Sequence, residues 1–343
     1  MNAPRWLSRD LALDLGTSNT RVYIRKHGVV AAEPSVVAVR KDRRGQMQVV
    51  AVGDEANEMV GRTPSELEII HPLKGGVIAD LDCTAALLRR LVPAAPLFQR
   101  MVRPRIVIAV PSDLTNVERR AVCESARHAG AREVLLIAGV AAAAIGAGLP
   151  VTRPSGNLIL DIGGGKTEVG VISLSGVVCA YSGRIAGQSM NEALTDFVKR
   201  KYNLLIGDHT AEFLKRQMGT AYPSDDLCSL EIRGRDLISG LPKAVEISSE
   251  ESREALSEPL SVIIGGVKQT LERTPPELAA DIAERGIVMV GGGSLLAHLD
   301  ELLREVTGLP VVLADDPLNA VALGLGRVIE EPELYRGFAT HSA

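Results

Sequence analysis

The chain has 343 residues, too many for one ordinary compact domain and suited to two lobes of about 150 residues each. Hydrophobic residues make up 46% and charged residues 23%, a core-forming composition, while only ten aromatic residues imply an aliphatic core and argue against a base-stacking surface. A formal net charge of −4, from 38 basic and 42 acidic side chains, disfavours a nucleic-acid-coating role.

In chain order, residues 11–15 read as an apolar strand running into Gly16-Thr17-Ser18-Asn19-Thr20, followed by strands at 21–25 and 29–32 across a Lys26-His27-Gly28 turn. A hairpin at 36–52 reads as a small insert. Helical spacing marks 81–92, 116–128, 188–202, 211–218, 250–271, 295–306 and 317–331. Further strands are predicted at 105–110, 133–137, 286–290 and 310–313. The opening plan returns within the chain: a strand at 157–162 ends in Gly163-Gly164-Gly165, and strands at 167–174 and 177–182 follow across Ser175-Gly176. Asp161 stands 147 residues after Asp14, each just ahead of its glycine turn. Such duplication predicts two related α/β lobes, each a mixed sheet flanked by helices. The first lobe is taken as 1–149 with an insert near 33–66 and helix 317–331 packing back on it. The second is taken as 150–316 with an insert near 187–249, leaving 332–343 as a tail.

No run of 18 apolar residues predicts a membrane span, and the N-terminus has no apolar segment of the secretory kind. Cys83, Cys123, Cys179 and Cys228 are widely spaced, which favours buried reduced thiols in a cytosolic protein. The six histidines show no ligand spacing, and His341 falls in the tail, expected to be disordered.

Three glycine turns follow strands: after Asp14, after Asp161, and at Gly291-Gly292-Gly293. Glycine lets backbone N–H groups approach a phosphate closely, and a carboxylate beside such a turn can hold Mg²⁺ through water. One such turn is weak evidence, and tight turns in a duplicated sheet are the plain alternative. That alternative leaves unexplained why both copies keep the Asp.

These residues resemble the MreB family of bacterial actin homologues over about 10–331. The motifs are DLGTSNT (14–20), EPSVVAV (33–39), HPLKGGVIAD (71–80), VERRAV (117–122), AGAREV (129–134), AAAIGAGLP (142–150), DIGGG (161–165), EVGVISLSGVV (168–178), TPPELA (274–279) and GGGSLL (291–296). The resemblance implies a duplicated, ribonuclease H-like, two-lobed actin-like fold. It also implies ATP or ADP in the cleft, with Mg²⁺ near Asp14 and Asp161, and filaments beneath the membrane that organise cell-wall synthesis and cell shape. Carried over by position, Gly16, Thr17, Ser18, Asn19 and Thr20 form the first phosphate turn. Gly163, Gly164, Gly165, Lys166 and Thr167 form the second, Glu212 and Lys215 contact the ribose, and Gly291, Gly292, Gly293 and Ser294 lie along the adenosine. Glu212 and Lys215, three apart on one helix, are equally a surface ion pair when the resemblance is set aside.

The chain departs from the family where water is positioned. Gly139 stands where the family has a glutamate expected to orient the attacking water, and Lys166 where it has a threonine with a similar duty. Hydrolysis of a phosphoanhydride relies on a well-placed nucleophile, so the sequence implies weak or lost hydrolysis and leaves ATPase activity open. Lys166 admits three readings: a point charge on the β/γ-phosphates, a partner of Asp14 or Asp161 that displaces Mg²⁺, or a side chain in solvent.

Leu97 and Phe98 lie among Arg89, Arg90, Arg100, Arg103 and Arg105, and Trp6 and Leu7 lie between Arg5 and Arg9. Apolar tips beside basic residues suit an anionic membrane surface, although Phe98 is as readily a core residue and the N-terminus a loose tail. The charged helix 116–128 reads in isolation as a solvated face, and the resemblance puts it near a lateral contact between antiparallel protofilaments. The implied partners are further copies of the chain, the inner face of the cytoplasmic membrane, and cell-wall elongation proteins of the MreC, MreD and RodZ type. A nucleotide-dependent scaffold or regulator that does not polymerise alone is the alternative. A small-molecule kinase is disfavoured, because no spare carboxylate stands ready as base for an acceptor hydroxyl.

Overall fold

The computed structural model describes residues 10–41, 47–91, 104–223 and 228–341. In the first half, β1 (Leu11–Leu15), β2 (Asn19–Ile24) and β3 (Gly28–Pro34) form the antiparallel opening. Then come β4 (Val37–Lys41), β5 (Met47–Val52), α1 (Asp54–Asn57), β6 (Leu67–Ile70), β7 (Leu73–Lys74) and β8 (Val77–Ile78). They are followed by α2 (Leu81–Leu91), β9 (Arg105–Val110), α3 (Asn116–His128), β10 (Glu133–Ala138) and α4 (Gly139–Gly146). The second half repeats the opening with β11 (Asn157–Ile162), β12 (Thr167–Ser173) and β13 (Gly176–Gly183), and continues with α5 (Gly187–Tyr202), β14 (Leu204–Leu205) and α6 (Asp208–Met218). It closes with β15 (Ser229–Asp236), β16 (Pro242–Ser248), α7 (Ser249–Glu272), α8 (Pro276–Arg285), β17 (Ile287–Val290), α9 (Leu299–Thr307), β18 (Val311–Leu313), α10 (Ala320–Glu330) and β19 (Thr340–His341).

The two main sheets have one plan. The first runs β3-β2-β1-β9-β10 and the second β13-β12-β11-β17-β18, each antiparallel through its first three strands and parallel from the third onward. Asp14 and Asp161 therefore stand at equivalent places on the central strands β1 and β11. Both lie near the carboxyl end of a parallel pair, where open α/β sheets place ligands. After β10 comes α4, and after β18 comes α10. These two helices pack on each other between the sheets, closing a core that takes Ala12, Val107 and Ile137 from one sheet and Ile159, Ile172 and Val290 from the other.

Several elements differ from the sequence reading. Helix α4 was not predicted: Gly-Val-Ala-Ala-Ala-Ala-Ile is buried on every side, so it carries no amphipathic period to read. Helix α8 was also missed. The helix expected over 295–306 begins at Leu299, because residues 292–295 are spent on a 3₁₀ turn. The presumed tail returns to the first sheet: β19 pairs antiparallel with β10, and Phe338 ahead of it is buried, so the apolar content of 335–339 has a place in the core. Cys83 and Cys123 are buried, but Cys179 is only half-buried and Cys228 is exposed, correcting the uniform expectation. No described helix is long and apolar enough to cross a membrane.

Candidate functional site

Between the sheets lies a cleft of about 1370 Å³. Its walls include Asp14, Gly16, Thr17, Ser18 and Asn19 from one lobe and Asp161, Gly163, Gly164, Gly165 and Lys166 from the other. Glu212, Lys215, Gly291, Gly292, Gly293 and Gly139 face the same space. The two glycine turns touch across it: a Cβ on Gly165 would stand 2.6 Å from Thr17 Oγ1, and one on Gly164 would run into Ser18. Only glycine permits that approach, which leaves the turn backbones lining the cleft. Gly291 has φ 83°, a left-handed turn at the end of β17 that carries the chain past Asp161, where a side chain would be strained.

Three of the residues named from the sequence turn away from the cleft. Thr20 is buried with its hydroxyl 2.9 Å from Ser35 Oγ, Thr167 donates to the Ile185 carbonyl at 2.6 Å, and Ser294 donates to the Gly291 carbonyl at 2.6 Å. Their hydroxyls hold the turns in shape. Trp6, Leu7, Leu97 and Phe98 lie outside the described residues.

The carboxylates at the base of the cleft resist ionisation. Burial raises Asp14 to about 6, against the pull of Arg21, whose guanidinium stands 3.8 Å away. Burial, then the charges of Glu168 and Asp14, raise Asp161 to about 7, opposed by Lys166 and Arg21. Two desolvated carboxylates facing one space are suited to a cation, which would remove their penalty. Among the described residues no three His, Cys, Asp or Glu side chains group to hold a metal by themselves. That donor set fits Mg²⁺, which takes one or two carboxylates and completes its shell with water and phosphate.

At the other end, Lys215 donates to Glu212 Oε2 at 2.7 Å and to the Gly187 carbonyl at 2.9 Å, while Asn191 donates to Glu212 Oε2 at 2.9 Å. Burial works to raise Glu212, but Lys215, then Asn191 and Arg216, outweigh it and hold it below the usual carboxylate range. Asn191 Oδ1 is buried without a hydrogen-bond partner beside this pair, an acceptor left over for a ligand hydroxyl.

Lys166 fits neither the reading that pairs it with Asp14 or Asp161 nor the one that turns it to solvent. Its Nζ lies 3.1 Å from Glu168 Oε1 and 3.2 Å from Asp113 Oδ1, paired with neither Asp14 nor Asp161. Sequence reasoning missed Asp113 and Glu168. Topology points to Asp113, because Pro111-Ser112-Asp113 follows β9 as the third glycine turn follows β17. Glu168, one residue into β12, was legible only as part of a motif.

A family model described as MreB/Mbl protein matches residues 8–336. The chain is 50% identical over 333 residues to the cell shape-determining protein MreB of Escherichia coli strain K12, covering 96% of each. Its structure superposes on MreB5 of Spiroplasma citri bound to AMPPNP with a TM-score of 0.90 at 35% identity, covering 95% of this chain and 97% of that one. Against a MamK double helical filament the TM-score is 0.78 at 26% identity, with coverage of 94% and 99%.

Proposed function

The chain belongs to the MreB/Mbl family and has its actin-like fold, and we propose that it is an ATP-binding filament subunit of the cytoskeleton that acts in cell shape, with ATP hydrolysis weakened or lost. The observation that carries this reading is the pair of Asp-bearing glycine turns meeting across one cleft, in a chain close in structure to a relative crystallised with AMPPNP and with ADP. The turns at Gly16–Asn19 and Gly163–Gly165 offer backbone donors to phosphates, Glu212, Lys215 and Asn191 suit a ribose, and Gly291–Gly293 an adenosine. Asp14 and Asp161 would hold Mg²⁺ through water, and the ion would supply charge neutralisation at the phosphates.

Weakened hydrolysis follows from side chains. Gly139 has none, and the Lys166 amine is engaged by two carboxylates, so neither orients a water. Self-association into paired filaments, lateral contact through α3, attachment to the inner membrane face through Leu97, Phe98, Trp6 and Leu7, and work with MreC-, MreD- and RodZ-type proteins complete the proposal. The same missing side chains favour one second reading, a nucleotide-dependent regulator that does not polymerise alone. Sedimentation with ATP or AMPPNP, alongside phosphate release, tests the choice. Pelleting with either nucleotide at a background release rate supports the filament reading. Bound nucleotide without pelleting supports the regulator, and turnover at the rate of active relatives would refute weakened hydrolysis.

A further inference from the structure

Lys166 and Gly139 are separated by 27 positions in sequence, yet one carboxylate joins them in space. Glu168 points from β12 of the second lobe toward the first, with its side chain only 8% exposed. Its Oε1 accepts the backbone N–H of Ser112 at 2.9 Å, and its Oε2 occupies room that exists because residue 139 is glycine. A Cβ there would stand 2.7 Å from that oxygen. Gly139 is also the first residue of α4, where the helix end favours negative charge.

Lys166 crosses in the same direction. Its stem lies against Gly76 of the first lobe, its side chain is 11% exposed, and its amine ends between Glu168 of its own lobe and Asp113 of the other. Gly76, at φ 81°, has no side chain to obstruct it, and a Cβ there would come within 2.9 Å of Lys166 Cδ. The result is a pair of polar contacts between the lobes beside the two phosphate turns: Lys166 to Asp113 and Ser112 to Glu168.

We propose that Lys166 and Glu168 form a clasp that binds Ser112 and Asp113, holding the lobes together across the phosphate end of the cleft without help from a nucleotide. Each contact joins groups of the protein itself. The clasp uses the two positions where the family's water-positioning side chains are replaced: glycine makes the room, lysine supplies the countercharge. Cutting one member is costly because the other is left buried and unpaired.

Distances between spin labels at exposed Cys228 of the second lobe and at Glu55→Cys of the first, in a Cys179→Ala background, test the clasp in nucleotide-free protein. The clasp requires a narrow distribution in the parent and in Lys166→Arg, and a broader one shifted to longer distance in Lys166→Met. The double variant Lys166→Met/Glu168→Gln, which leaves only the exposed Asp113 without its partner and no buried charge to unfold the chain, should open in the same way. A parent as broad as the double variant, or a double variant as narrow as the parent, overturns it. Because no nucleotide is present, the outcome is independent of the ATP reading, which a fluorescent-ATP titration tests separately.

Discussion

Asp14 and Asp161 set the protonation behaviour of the cleft. Their values of about 6 and about 7, against 3.8 for an ordinary aspartate, mean that the folded protein keeps protons that the unfolded chain has released. Their contribution to stability therefore falls as pH rises from about 4 to about 7, since the native state keeps these two protons through that window. Thermal melts of the apo protein should show this decline, and Asp161→Asn should flatten it and melt higher than the parent above about pH 7. Parallel curves for parent and variant would reject the assignment. Gly139 and Lys166 make a second residue-scale test. Gly139→Glu alone leaves Lys166 where the family has its second water-positioning side chain, so it should fail to restore turnover, whereas Gly139→Glu with Lys166→Thr should raise phosphate release by at least about 10-fold. An unchanged rate in the double variant would show that the block lies elsewhere.

At the scale of elements, the contact between α4 and α10 governs how the lobes meet. Gly146 and Gly324 let these helices approach backbone to backbone. A Cβ on Gly324 would lie 2.7 Å from the Ala142 carbonyl carbon and 2.9 Å from Gly146 N. Backbone atoms cannot swing aside as a side chain can, so Gly324→Ala should destabilise the protein by about 2 kcal/mol or more, read as a lowered urea midpoint. An unshifted midpoint would mean that the crossing is looser than drawn. Element by element, amphipathic helices such as α3 and α5 were legible because one face is wet and the other dry. The buried α4 was not, since a helix dry on all sides has no period. Nor was β19, a two-residue edge strand whose only signal is its partner β10.

For the whole molecule, duplication is the organising fact. Equivalent strands β1 and β11 deliver equivalent aspartates to one cleft, and equivalent helices α4 and α10 form the contact beneath it. A filament subunit that rests on a membrane should bind vesicles containing anionic lipid and lose that binding when Leu97 and Phe98 are changed to Ser, as measured by co-sedimentation. Retained binding would remove the 97–98 segment from the proposal. Charge reversal at Arg119 and Arg120 on α3 should leave single filaments where the parent pairs them in electron micrographs, and unchanged pairing would exclude that face.

The sequence by itself determined the two lobes, the paired Asp-Gly turns and the residue types at 139 and 166, where the resemblance puts water-positioning side chains. All of these are written in local order, as a repeat or as a residue type at a motif position. Tertiary structure decided what the replacements do. Thr20, Thr167 and Ser294 spend their hydroxyls inside the fold rather than on the cleft, and Lys166 finds Asp113 and Glu168 instead of Asp14, Asp161 or solvent. The reason is that a charge chooses its partner by distance and burial. Those are properties of how two sheets face each other, and no spacing along one chain encodes them.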